Sequence, residues 1–139
     1  MNNIYATLVN FQGKGILLTG KSGSGKSDLA LRFIEKGAKL VADDQVILCK
    51  KDNKLYGLAP NNIAGKLEVR GIGICEFDYL EESKIDLCVE LTNFRDDVER
   101  MPMDEFVNFL GISITKLKIY PFDCSTVYKI IVKTHSIVS

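Results

Sequence analysis

The apolar and polar positions along the chain predict a series of short strands interrupted by few helices. Ile4 to Val9 is rich in β-formers, and after a turn at Gln12 and Gly13 the apolar run Ile16, Leu17, Leu18, Thr19 stops at Gly20. This predicts a hairpin whose second strand delivers a glycine-rich turn. From Ser27 to Lys36 the residues Leu29, Ala30, Phe33 and Ile34 recur at helical spacing, and Gly37 stands where a helix C-cap is expected. Lys39 to Ala42 is a further short strand that runs straight into Asp43 and Asp44. Val46 to Lys50 and Leu55 to Leu58, separated by Asp52 and Asn53, predict another hairpin. In LEVRGIGICEF, beginning at Leu67, Gly71 and Gly73 interrupt a strand-like pattern, which implies a bend or a close backbone approach. Ile85 to Leu91 and Ile114 to Tyr120 read as strands, Asp104 to Leu110 as a short helix ending at Gly111, and Val127 to Val132 as either extended or helical. Repeats and low-complexity tracts are absent from the sequence, which leaves a single α/β domain, richer in hairpins than an alternating βαβ protein.

Composition narrows the class. At 139 residues and 46% hydrophobic, the chain is long enough for one core and too short for two ordinary domains. Lysine plus arginine and aspartate plus glutamate are both 18, so there is no basic excess to attract nucleic acid. The opening residues lack the pattern of a secretory signal, and no apolar stretch approaches the roughly 20 residues that span a bilayer. A cytoplasmic protein without a membrane partner is the expectation. Cys49, Cys75, Cys88 and Cys124 form no close pair, so they are expected to be reduced thiols, without a local zinc or redox motif.

The chemistry begins at GKSGSGKS, Gly20 to Ser27, which fits G, four residues, G, K, then S or T. The glycines, Gly20, Gly23 and Gly25, let the backbone curl so that N–H groups point inward. Lys21, Ser22 and Ser24 complete the turn, and the following helix adds its positive end. Lys26 can reach the β- and γ-phosphates, and the Ser27 hydroxyl can ligate a bridging magnesium ion. A flexible turn before a helix is the bland alternative, but the strand before this motif and the amphipathic helix after it are the context that phosphate binding needs.

Asp43 and Asp44, at a strand end downstream, fit a metal- or water-positioning acid beside a general base, since transfer to a hydroxyl needs an acceptor for the alcohol proton. An acidic turn is the other reading of the pair. Glu68 and Arg70 alternate with Leu67 and Val69, so they share a face, where they fit magnesium and phosphate respectively or a surface ion pair. From the pattern alone, Arg100 is a surface arginine before a helix, and His135, the only histidine, is a solvated position near the C-terminus.

The combination GILLTGKSGSGKSDLALRFIEKGAKLVADDQVIL and APNNIAGKLEVRGIGI resembles the catalytic domain of HPr kinase/phosphorylase, in its short proteobacterial form, from about Ile4 to about Lys129. The resemblance implies a P-loop kinase fold of the type shared with phosphoenolpyruvate carboxykinases, with a mixed sheet and hairpins. It also implies an ATP-dependent, magnesium-requiring kinase that phosphorylates a serine of HPr, a small carrier protein of the bacterial sugar phosphotransferase system. By that resemblance Gly20 to Ser27 hold ATP, Ser27 and Glu68 hold magnesium, and Lys26 is the catalytic lysine. Asp44 is the acid/base carboxylate with Asp43 beside it, Leu67 to Glu76 match a signature segment, and Arg100 matches an active-site arginine.

The departures shape the expectation. Tyr5 replaces a family histidine, and PFDCST, Pro121 to Thr126, stands where longer relatives carry an arginine- and glycine-containing loop that serves dephosphorylation. Kinase activity with weak or absent phosphorylase activity follows, because a bound phosphate lacks those cations. The N-terminal domain and the C-terminal helices of longer relatives are expected to be absent, and a homo-oligomer of unspecified size is expected. Two alternatives remain open at this level: a nucleotide-binding regulatory module without catalysis, and a kinase of another protein or of a small hydroxyl compound.

Overall fold

The computed structural model describes residues 2–137 and divides the first β-rich stretch at Ala6 into β1 (Asn2–Tyr5) and β2 (Thr7–Phe11). There follow β3 (Lys14–Thr19), α1 (Lys26–Glu35), β4 (Lys39–Ala42), and the hairpins β5 (Gln45–Lys51) with β6 (Lys54–Leu58) and β7 (Lys66–Val69) with β8 (Gly73–Glu76). β9 (Glu82–Lys84), β10 (Leu87–Leu91), β11 (Glu105–Phe109), β12 (Ile112–Ile119) and α2 (Thr126–His135) complete the order.

A six-stranded sheet, ordered β11-β12-β10-β3-β2-β4, lies at the centre. Side chains alternate across it, as strand geometry requires. On one face Val9, Ile16, Leu18, Leu87, Val89 and Leu91 pack with Leu29 and Phe33 of α1 and Val127 and Ile130 of α2. On the other, Leu8, Leu17 and Cys88 pack with Val46, Leu48 and Leu55 of the second sheet, whose order is β1-β5-β6-β9. The short, continuously apolar runs therefore belong to strands covered on both sides, between a helix layer and a second sheet. A bulge between β2 and β4 leaves Val41 outside the register that pairs Val9 with Leu40 and Leu8 with Ala42.

Two expectations change here. The segment predicted as a helix over Asp104 to Leu110 is the edge strand β11, paired antiparallel with β12. Gly111 does not cap a helix: Leu110 and Gly111 both take positive φ, 53° and 82°, and form the tight turn of a hairpin, with Gly111 N–H donating to Asn108 Oδ1 at 3.0 Å. Val107 and Phe109 then pack inward while Phe106 and Asn108 stay exposed, a period of two. The undecided segment after Val127 is helical, because Val127, Ile130 and Thr134 fall on one buried stripe.

Candidate active site

The sheet order assembles the site. β10 runs parallel to both β3 and β12, and β4 points the same way because β2 is antiparallel to β3 and to β4. The carboxyl ends of these strands therefore share one edge, where ligands collect in open α/β sheets. Thr7 of β2 pairs with Leu18, two residues before Gly20, while Leu8 pairs with Ala42, the residue before Asp43. The phosphate-loop motif and the acidic pair are thereby brought to either side of Thr7.

Gly20 to Ser27 forms the glycine-rich turn between β3 and α1. Gly25, with φ 102°, is the N-cap of α1, and no side chain caps that end, so first-turn N–H groups remain for an anion. A Cβ on Gly25 would stand 3.0 Å from the ring of Phe122, and the left-handed backbone disfavours any side chain there. Lys26, only 5% exposed, folds its ammonium onto the carbonyls of Gly20 and Lys21 at 2.9 Å each, with Ser24 Oγ at 3.5 Å. The ring of Tyr5 lies 4.1 Å from the same ammonium and supplies a cation–π contact. Tyr5 reaches that position because it pairs with Gln45, the residue after Asp44, while Ala6 N–H donates to Asp44 O at 3.3 Å.

Asp43 and Asp44 have different surroundings. Asp43 is buried and accepts two hydroxyl protons at Oδ1, from Ser27 and from Thr7, each at 2.8 Å. Asp44 is exposed, with φ 72°, a conformation that Asp and Asn tolerate better than most residues. Its backbone breaks the alternation of β4, which is how adjacent acids come to face one space. Both line a cleft of about 910 Å³ together with Tyr5, Lys26 and Ser27. Glu68 and Arg70, from β7 and the turn that follows it, line the same cleft, and neither makes an ion pair with the other among the described residues.

Of the phosphate-loop residues, Ser22, Gly23, Gly25, Lys26 and Ser27 face this cleft, Ser24 is buried behind Lys26, and Gly20 and Lys21 border a smaller cleft of about 360 Å³. Arg100 is not brought to the cleft. It lies exposed in the bend between Arg95–Asp97 and β11 and is not among the residues that line the cleft. The cations that line the cleft with Lys26 are Lys66 and Arg70. Sequence reasoning missed Thr7 and Phe122. The position of Thr7 in an apolar strand carries no local signal, and that of Phe122 depends on a loop far along the chain.

The oxygen donors suit magnesium. Ser27 gives its proton to Asp43 and keeps a lone pair for a cation, and the carboxylates of Asp43, Asp44 and Glu68 line the same space. No cluster of three or more His, Cys, Asp or Glu side chains forms a closed cage among the described residues. An ion that keeps waters and takes phosphate oxygens fits this arrangement better than one that needs an all-protein cage.

A family model described as HPr Serine kinase C-terminal domain matches residues 1–136. The chain is 39% identical over 126 residues to the HPr kinase/phosphorylase of Clostridium beijerinckii, covering 84% of this chain and 42% of that protein. It is likewise 39% identical over 126 residues to the HPr kinase/phosphorylase of Caldicellulosiruptor bescii, covering 83% and 40%. The chain thus spans about two fifths of the length of these relatives. Among solved structures, the Hpr(Ser) kinase/phosphatase from Coxiella burnetii superposes with a TM-score of 0.82 at 25% identity, over 97% of this chain and 96% of that one. With a mixed α/β architecture that matches a solved relative and a family match over nearly its whole length, the chain belongs to the HPr serine kinase C-terminal domain family.

Proposed function

We propose that this chain is an ATP-dependent protein serine kinase whose acceptor is HPr, acting in the cytoplasm as one catalytic domain over residues 1–139 and as a homo-oligomer. The observation that supports this most directly is that Asp44 lines one cleft with Lys26 and Ser27, so an acceptor hydroxyl has room between a carboxylate and the phosphate loop. ATP is held by Gly20 to Ser27, with its phosphates on the uncapped N-terminus of α1 and on Lys26. The serine oxygen attacks the γ-phosphorus, its proton passes to Asp44, and the bond from the γ-phosphorus to the bridging oxygen breaks to leave ADP. Ser27 and Glu68, with Asp43 behind Ser27, would hold a magnesium ion, which would supply charge neutralisation to the phosphates. Lys26 and Arg70, which line the cleft, spread the transferred charge.

Dephosphorylation is weak or absent in this reading. The loop that contains Phe122 presents an aromatic ring to the cleft, and the nearby cation Arg95 is engaged with Asp123 at 2.6 Å. Incubation of the chain with γ-labelled ATP, magnesium and HPr tests the proposal: label is expected on a serine of HPr and to be lost when that serine is replaced by alanine. ATP binding without transfer to any acceptor would favour a regulatory module. Transfer only to another protein of a cell extract, or to a small hydroxyl compound, would keep the kinase and overturn the substrate.

A further inference from the structure

The loop between β12 and α2 is held firmly, yet it leaves one large aromatic face open. Arg32 of α1 donates to Pro121 O at 2.6 Å, and Arg95 donates to Asp123 Oδ1 through Nη2 at 2.6 Å and Nε at 3.2 Å. The fully buried Thr126 donates its hydroxyl proton to Tyr120 O at 2.9 Å and accepts from Asp123 N–H at 3.2 Å. Tyr120 packs edge-on against Phe122, with ring centroids 5.6 Å apart and planes at 81°. Phe122 nevertheless remains 51% exposed, lines the large cleft, and abuts Gly25 at the start of α1.

A phenyl ring that is fixed by neighbours and still open on a face is a stacking surface. Its place beside the phosphate loop says what lies on it. We infer that Phe122 is the platform on which the nucleobase of the bound triphosphate stacks, with the phosphates at Lys26 and the α1 N-terminus. The inference rests on the nucleotide reading above and adds the residue that recognises the base. Stacking of a base on an aromatic side chain is lost on truncation to alanine, and it needs no hydrogen-bonding reader. Ile74, 73% exposed, and Val69 add apolar surface to the same cleft.

The test is calorimetric titration of the full chain with ATP and, separately, with inorganic tripolyphosphate, both with magnesium. Phe122→Ala is expected to weaken ATP about tenfold and to leave tripolyphosphate within about twofold, while Phe122→Trp retains ATP. The side chain is half exposed, so folding is not at stake, and thermal unfolding of each variant checks this. If Phe122→Ala leaves ATP unchanged, or weakens both ligands alike, the platform is wrong while the nucleotide reading stands. If the unaltered chain binds neither ligand, both fall together.

Discussion

Ser27 donates its hydroxyl proton to the buried carboxylate of Asp43 at 2.8 Å, which ties the first turn of α1 to the end of β4. Thr7 donates to the same oxygen from β2, the strand between them. Removing the Thr7 hydroxyl with Thr7→Val keeps the shape and leaves a buried carboxylate with one donor fewer. Stability is expected to drop by about 1–3 kcal/mol, the usual loss for a hydrogen bond to a buried charged group. The magnesium concentration for half-maximal transfer should rise, since Asp43 then holds Ser27 less firmly. Urea unfolding and a magnesium titration of activity measure the two effects, and an unchanged unfolding midpoint would contradict the first.

Asp44 differs from Asp43 in being exposed and in a left-handed backbone that asparagine also accepts. Asp44→Asn therefore removes the proposed base without straining the chain. The rate of transfer is expected to fall about 100-fold or more, with ATP affinity almost unchanged. An equal loss of ATP affinity, read by titration, would give Asp44 a structural role instead.

The parts of this site legible in the sequence are those encoded locally. The phosphate loop needs glycines, a lysine and a serine at fixed offsets, and the flanking apolar strand and amphipathic helix confirm its context. Pairing across the sheet has no such local trace. Nothing near Thr7 announces that it faces Asp43, because that contact depends on two strand registers and a bulge. Residues 104–111 misled for the opposite reason: an acidic start and a closing glycine mimic a helix with its cap. Leu110 adopts positive φ to make the hairpin, and the long strand β12 supplies the hydrogen bonds that decide the matter.

Tyr5 covers the Lys26 ammonium at 4.1 Å, and that ammonium otherwise rests on loop carbonyls. Loss of the ring with Tyr5→Leu is expected to loosen Lys26 and reduce transfer several-fold, in line with about 0.5–1 kcal/mol for such a contact. Tyr5→Phe keeps the ring face and should retain most activity. If Tyr5→Phe fell as far as Tyr5→Leu, the hydroxyl rather than the ring would be the working group. Steady-state rates of the two variants decide this.

Gly25 takes φ 102°, and a Cβ there meets Phe122 Cε1 at 3.0 Å. Gly25→Ala combines a disfavoured backbone with a clash at the start of α1. A stability loss of roughly 1–2 kcal/mol is expected from the backbone alone. Tripolyphosphate binding should be lost as well, because the N–H groups of that turn are displaced; full retention of binding would show that the turn relaxes without cost to the anion site.

Cys88 links the pH dependence of stability to the centre of the sheet. It lies in β10 beside Leu17 of β3, and its sulfur is 3.9 Å from Thr19 Oγ1. Burial, only partly offset by the Thr19 contact, pushes its thiol up from 9.0 to about 11. The folded state therefore holds this proton more tightly than the unfolded chain does. Below about pH 9, where an ordinary thiol is still mostly protonated, both states keep the proton and the contribution to stability is present. Above it the unfolded chain ionises first, so stability is lost progressively until the folded thiol also titrates near pH 11. Every other group is common to both proteins, so the informative quantity is the difference between the unaltered chain and Cys88→Ala. The alanine variant is expected to be less stable at pH 7 because it leaves a cavity, and that gap is expected to narrow as pH rises from about 9 to about 11. Urea unfolding at a series of pH values measures it. A gap that stays constant across the series would mean that the thiol ionises alike in both states, against the burial that the sheet imposes on it.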